Sequence, residues 1–404
     1  MFTIAATVTA EILASFDPAR RASLKHRNLI AACLAHALHD GYTDGLYAFL
    51  PVWQAQFGLS YAGLAIVRAL YYGTMGGLQV PADKVVRPLS PRSALVLATL
   101  VAATGFLVMA LPLGFAGLCA GLALAGIGSS IQHPRGSLLV TNTYAPASRA
   151  PLGVYNFSGD LGKAALPAIV ALLLPLLAWR PVAGLMAVLG LGMAFGLFLL
   201  NPQTARANIL QPKAVAQTRI HSGFPLLMVI GAFDTATRMG YLLFLPFLIH
   251  ARGGGSPTVG LGLALLFIGG ALGKATCSWL GQHLGVVGSV IATEVATAVL
   301  IATTLFLPII PMLVVLPLLG IVLNGTSSVL YGTVPELAPR GDTGRAFALF
   351  YTGVIGAGGL APIAYGAIAD HSNRTIGVLA AATTAALIVP MVLGLRRSLK
   401  PKAA

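Results

Sequence analysis

The feature that most limits what this chain can fold into is a succession of long apolar runs, each about twenty residues or more, separated by short polar turns. A helix needs roughly 20 apolar residues to cross a hydrocarbon core, where every backbone N–H and C=O must be satisfied within the segment. The runs do not alternate apolar with polar residues, which excludes a closed β-barrel. They predict helices at 28–55, 60–82, 93–112, 115–143, 151–175 and 181–201, then at 223–250, 257–281, 286–307, 312–337, 345–369 and 375–396. The expected fold class is an all-α membrane protein with twelve transmembrane helices. Only 9% of the 404 residues are charged, against about 25% in soluble domains.

The net charge of +14 is explained by position. Seventeen basic residues, from Arg20 and Arg21 to Lys400 and Lys402, fall on one side of the expected helices, and three, Arg180, Arg252 and Arg374, on the other. By the positive-inside rule both termini are cytoplasmic, in a bacterial inner membrane, and the basic balance reports topology and not nucleic-acid binding. The expected organisation is an N-terminal extension (1–27), a six-helix bundle (28–201), a polar cytoplasmic linker (202–222), a second six-helix bundle (223–396) and a tail (397–404). Cys33, Cys119 and Cys277 lie within apolar runs, so neither a disulfide framework nor a metal site is expected. No phosphate-binding loop or nucleophile–base–acid set is present, so no enzyme and no cofactor is expected. The expected partners of a monomer are a small-molecule substrate, protons and the lipid bilayer.

The two halves echo each other. Tyr47-Ala-Phe-Leu-Pro51 answers Leu242-Leu-Phe-Leu-Pro246; Gly63, Gly73 and Gly76 recur as Gly260, Gly270 and Gly273; Ser129-Ser130 recur as Ser327-Ser328, and Leu166-Pro167 as Ala361-Pro362. A near-constant offset of this kind predicts two pseudo-symmetric bundles, with a substrate site between them near mid-membrane.

Charges inside apolar runs mark that site, because an ionisable group at bilayer depth costs at least about 2.5 kcal/mol and must face protein or water. His36, Asp40 and Asp44 fall at i, i+4 and i+8 on the first helix and form one stripe. Asp40, Asp44, Asp160 and Asp234, with His36 and His133, are the proton-coupling candidates, since burial and a neighbouring cation tune a carboxylate's proton affinity. His39 is a further relay partner. The substrate-binding candidates are Arg68, Arg238, Lys163 and Lys274, suited to an anion, with Tyr47, Tyr72, Tyr155 and Tyr241 able to hold an organic group by ring and hydroxyl. The spacing also allows plain neutralisation of Asp160 by Lys163 and of Asp234 by Arg238, pairing of Arg68 with Asp40 or Asp44, and snorkelling of Arg135 to the inner interface. Glu294 is the acid with least context, and a hydrogen bond to a neighbouring helix is its simplest role.

Asp83-Lys84-Val85-Val86-Arg87, between the second and third helices, resembles the acidic–basic loop of the major facilitator superfamily, with Gln79 and Val86 standing where that signature has glycine. The resemblance implies that Asp83, Lys84 and Arg87 form a cytoplasmic gating loop. His36-x3-Asp40, then Pro51, Phe57 and Ser60, together with Gly128-Ser-Ser-Ile-Gln-His133-Pro134, resemble the fosmidomycin-resistance-type efflux proteins of that superfamily. Arg135, Asp160 and Lys163 depart from their pattern. The resemblance implies alternating access and proton-driven export (antiport) of a small anionic or zwitterionic organic compound, phosphonate-like among the options. The alternative on the same fold is a proton-coupled importer of an organic anion or metal chelate.

Overall fold

A computed structural model describes residues 18–145, 147–203, 223–338 and 343–399, and every element in it is a helix. These are α1 (Pro18–Phe57), α2 (Tyr61–Gly77), α3 (Gln79–Val86), α4 (Pro91–Ala110), α5 (Gly114–Tyr144), α6 (Arg149–Leu173), α7 (Trp179–Leu200), α8 (Gly223–His250), α9 (Ser256–Thr304), α10 (Ile309–Leu337), α11 (Thr343–His371) and α12 (Arg374–Leu395). The first helix begins at Pro18 and not at 28. The second predicted segment divides at Leu78 into α2 and α3. Residues 1–17, most of the expected linker (204–222) and the last residues of the tail lie outside the described residues.

The eighth and ninth predicted segments run together as α9, broken at Gly285, whose φ of 68° and ψ of 179° are open essentially only to glycine. Cys277 and Thr293, eight residues to either side, both meet the same turn of α10, at Gly325 and Thr326. The chain therefore reverses at Gly285, and α9 is two antiparallel spans.

Nine segments among the described residues are long and apolar enough to cross a membrane, including Ser256–Cys277 and Trp279–Thr304 as separate limbs of α9. Besides the short α3, the helices outside that set are α1, α2 and α6, which carry His36, Asp40, Asp44, Arg68, Asp160 and Lys163. Together they make up the twelve spans expected from sequence. The polar lining that makes these three less apolar faces inward.

Small residues set the spacing. A Cβ on Gly162 of α6 would lie 1.9 Å from the Ala37 carbonyl oxygen of α1, and one on Gly273 of α9 would lie 2.2 Å from the Ile321 carbonyl oxygen of α10. Backbones that approach this closely gain dispersion contacts where lipid supplies no hydrophobic drive.

The halves meet at the end remote from Asp83. Asp370, at the end of α11, accepts the backbone N–H groups of Tyr61 (2.8 Å) and Ala62 (2.9 Å) at the start of α2. Tyr61 packs edge-on against Phe244 and Phe247 of α8, and Gly260 of α9 lies against Ala168 and Ala171 of α6.

Candidate functional site: a charged chamber between the halves

Asp40 is the hub of the first half. Its carboxylate lies 3.5 Å from His36 Nε2, 3.8 Å from His133 Nε2 and 3.2 Å from Lys163 Nζ. Glycine makes this convergence possible: a Cβ at Gly159 would sit 2.5 Å from Asp40 Oδ2 and 2.6 Å from the His36 ring. With Gly159 and Gly162 on one side of α6, that helix presses onto α1 and carries Lys163 to Asp40. Tyr155 stacks on His36 with ring centroids 4.0 Å apart, and Gln132 Nε2 donates to the Tyr155 hydroxyl at 3.4 Å.

Lys163 pairs with Asp40, so the i, i+3 neutralisation of Asp160 by Lys163 is not what α6 adopts. Asp160 instead takes the ammonium of Lys274 from α9, at 2.8 and 2.6 Å to its two oxygens. This pair joins the two halves. The side chains of Lys163 and Lys274 are 31% and 42% accessible while those of Asp40 and Asp160 stay near 10%. The ammonium groups are thus the more accessible part of this cluster.

A second cluster contains the arginines. Arg68 is 3% exposed; its guanidinium lies 4.3 Å from the centre of the Tyr47 ring and 5.0 Å from that of Tyr72, with one N–H directed at Met239 Sδ at 3.5 Å. Tyr47 also donates to Met239 Sδ, at 3.3 Å. Arg238 comes from the opposite half, on α8 next to the Met239 that meets Arg68 and Tyr47. Among the described residues neither Arg68 nor Arg238 forms an ion pair, and the Nε of each is buried without a hydrogen-bond partner. Pairing of Arg68 with Asp40 or Asp44, and of Asp234 with Arg238 at salt-bridge distance, is therefore not found. Asp234 and Glu294 are both buried, at 3% and 2% exposure.

Other candidates lie apart. Tyr241 is fully buried near Thr304 and Arg252, away from the chamber. His39 faces α4 and α5, bonded to Ser129 (2.8 Å) and Thr99 (3.4 Å). Arg135 bonds the Asp83 carboxylate at 2.9 Å and the Asp83 carbonyl at 2.7 Å, tying α5 to α3. Lys84 and Arg87 are exposed. His36, Asp40 and His133 offer three ligand atoms within 4.8 Å of one another, but the Lys163 ammonium already supplies positive charge at that point. Met239 and Gln132 were not singled out from sequence. Gln132 adjoins His133 in the quoted run, whereas nothing in the sequence around Met239 marks it.

The Major Facilitator Superfamily profile matches residues 32–226. The N-terminal half of the chain is similar to that superfamily. The chain is 23% identical over 361 residues to the fosmidomycin resistance protein of Escherichia coli (strain K12), covering 85% of this chain and 86% of that protein. It is 24% identical over 377 residues to an uncharacterised MFS-type transporter, YfnC, of Bacillus subtilis (strain 168), covering 88% and 89%. Among solved structures it shares the fold of a POT family transporter in complex with 5-aminolevulinic acid, with TM-score 0.76, 13% identity and coverage of 93% of this chain and 97% of that one. It also shares the fold of a bacterial homologue of the human lysosomal transporter Spinster, in an inward-facing and occupied conformation, with TM-score 0.73, 15% identity and coverage of 93% and 98%. The chain is a multi-pass membrane transporter.

Proposed function

We propose that this transporter is a proton-coupled exporter of a small anionic or zwitterionic organic compound, acting as a monomer in a bacterial inner membrane with both termini cytoplasmic. The observation that carries the reading is a pair of arginines, Arg68, buried, and Arg238, half-buried with its Nε enclosed, which come from opposite halves and have no ion-pair partner among the described residues. A planar donor fork at low dielectric is suited to a carboxylate, phosphonate or phosphate oxygen pair. Because the arginines sit on different bundles, one anion can draw the halves together, which is what alternating access about a midplane site requires. Asp40 and Asp44 supply the proton-sensitive side.

The sign of coupling depends on the substrate. In antiport the proton must displace it, so the compound has to bring a positive group to Asp44 or Asp40 while its acid lies on the arginines. For a wholly anionic compound, protonating Asp44 removes a repelling charge and strengthens binding, which is the linkage of co-transport.

Reconstituted protein, an imposed pH gradient and labelled fosmidomycin as the first probe test the proposal, with an amino-acid zwitterion alongside. Flux that rises with an opposing proton gradient supports antiport. Flux of every probe indifferent to pH sinks proton coupling.

A further inference from the structure

Met239 of α8 reaches across to the other half by its sulfur. Its Sδ accepts the Tyr47 hydroxyl of α1 at 3.3 Å and an Nη2–H of Arg68 of α2 at 3.5 Å. All three side chains are buried. Two donors from two helices therefore converge on one point, and an atom of the C-terminal half holds that point.

A thioether is a weak acceptor, and it stands where a stronger one belongs. A guanidinium carries several N–H donors, and an arginine withdrawn from water normally gives them to carboxylate or carbonyl oxygens. Arg68 gives one to sulfur, leaves its Nε–H buried without a partner, and lies near the ring faces of Tyr47 and Tyr72. Aromatic faces attract the cation but accept no strong hydrogen bond, so they leave the N–H edge for an oxygen acceptor.

We propose that Met239 is a stand-in for the substrate's oxyanion: in the empty transporter its sulfur occupies the point where Arg68 and Tyr47 converge, and an oxygen of the anion displaces it. The role rests on the reading above that an anion binds at Arg68 and Arg238. Methionine suits the task in three ways. It yields to a charged oxygen, which bonds both donors more strongly. Its unbranched chain turns aside without moving the helix. Having no charge, it covers the donors without neutralising Arg68 as an acid would. Displacement also sets a threshold, because a neutral ether or ester oxygen gains little over the sulfur while a carboxylate or phosphonate oxygen gains much. The turn of α8 that withdraws the sulfur is the one that carries Arg238.

Methyl NMR of isotopically labelled methionine in lipid nanodiscs follows the displacement, with the Met239 resonance identified by its loss in Met239→Leu. Tyr47→Phe removes one donor and should shift that resonance in the empty protein. Fosmidomycin should shift it in the wild type and saturate at the affinity found by calorimetry. At nearly constant size, acceptor strength should set affinity: Met239→Leu binds fosmidomycin about fivefold tighter, and Met239→Gln, with an amide oxygen, about fivefold weaker. A side chain that only filled space would move both variants in the same direction. If the Gln variant folds poorly, the resonance titration and the Leu variant decide. No shift in Tyr47→Phe, fosmidomycin bound with the Met239 resonance unmoved, or weaker binding in Met239→Leu overturns the proposal and leaves the anion reading intact. Binding of neither fosmidomycin nor an amino-acid zwitterion, in the wild type or in Met239→Leu, overturns the anion reading and the stand-in role with it. Binding in Met239→Leu alone supports both.

Discussion

At the scale of single residues, the chamber separates charges that hold each other from charges that are held in reserve. Lys163 and Lys274 are engaged by Asp40 and Asp160, so the arginines are the ones free to meet an anion. Arg238→Gln should weaken binding of a phosphonate or carboxylate probe by on the order of 100-fold, the loss of a charge-assisted contact of roughly 3 kcal/mol. Arg68→Lys keeps the charge but loses the fork that lies over Tyr47 and Tyr72, and about a tenfold loss is expected. Equilibrium binding to purified protein checks both, and unaltered affinity in both variants would remove the arginines from the site. The sequence placed His36, Asp40, Lys163, Arg68 and Arg238 on the correct helices through their cost at bilayer depth. It could not assign their partners. Spacing along one helix reports neighbours at i+3 and i+4, while Lys163 to Asp40 and Lys274 to Asp160 are contacts between helices, decided by rotation and separation.

At the scale of helices, separation is governed by small residues, which hydropathy does not register. Gly162 shows this most directly: an added methyl would meet the Ala37 carbonyl oxygen at 1.9 Å. Gly162→Ala should push α6 from α1, costing about 1–3 kcal/mol in overpacking, and should loosen Lys163 from Asp40. Gly192→Ala, where nothing lies within 4 Å, is the matched control. Thermal unfolding in detergent checks the pair of variants: a lowered midpoint for the first alone is expected, and equal midpoints would mean that α6 accommodates the methyl. Twelve spans were legible because apolar length is a one-dimensional signal. The run of α9 through Gly285 and the division of the second span at Leu78 were not, since both depend on dihedral angles that hydropathy averages over.

For the whole molecule, the decisive asymmetry is that one end is fastened and the lysines at the chamber remain in reach of solvent. The fastening is small. Asp370 takes the first two backbone N–H groups of α2, which a helix leaves without intrahelical partners and which carry the positive end of its dipole. A carboxylate there joins α11 of one half to α2 of the other. If the halves rock, this contact must break whenever the sealed end opens. Asp370→Ala should therefore shift the population toward opening at that end by about 1–2 kcal/mol, a factor of roughly 5–30, while Asp370→Asn, which still offers one acceptor oxygen, should fall between. A cysteine at Ala62, in a background lacking Cys33, Cys119 and Cys277, gives the readout through its rate of reaction with a membrane-impermeant thiol reagent. Labelling several-fold faster in Asp370→Ala than in its parent is the expected result. Equal rates would show that the aromatic packing of Tyr61 against Phe244 and Phe247 holds the end shut by itself, with the carboxylate only choosing the register in which the two helices meet.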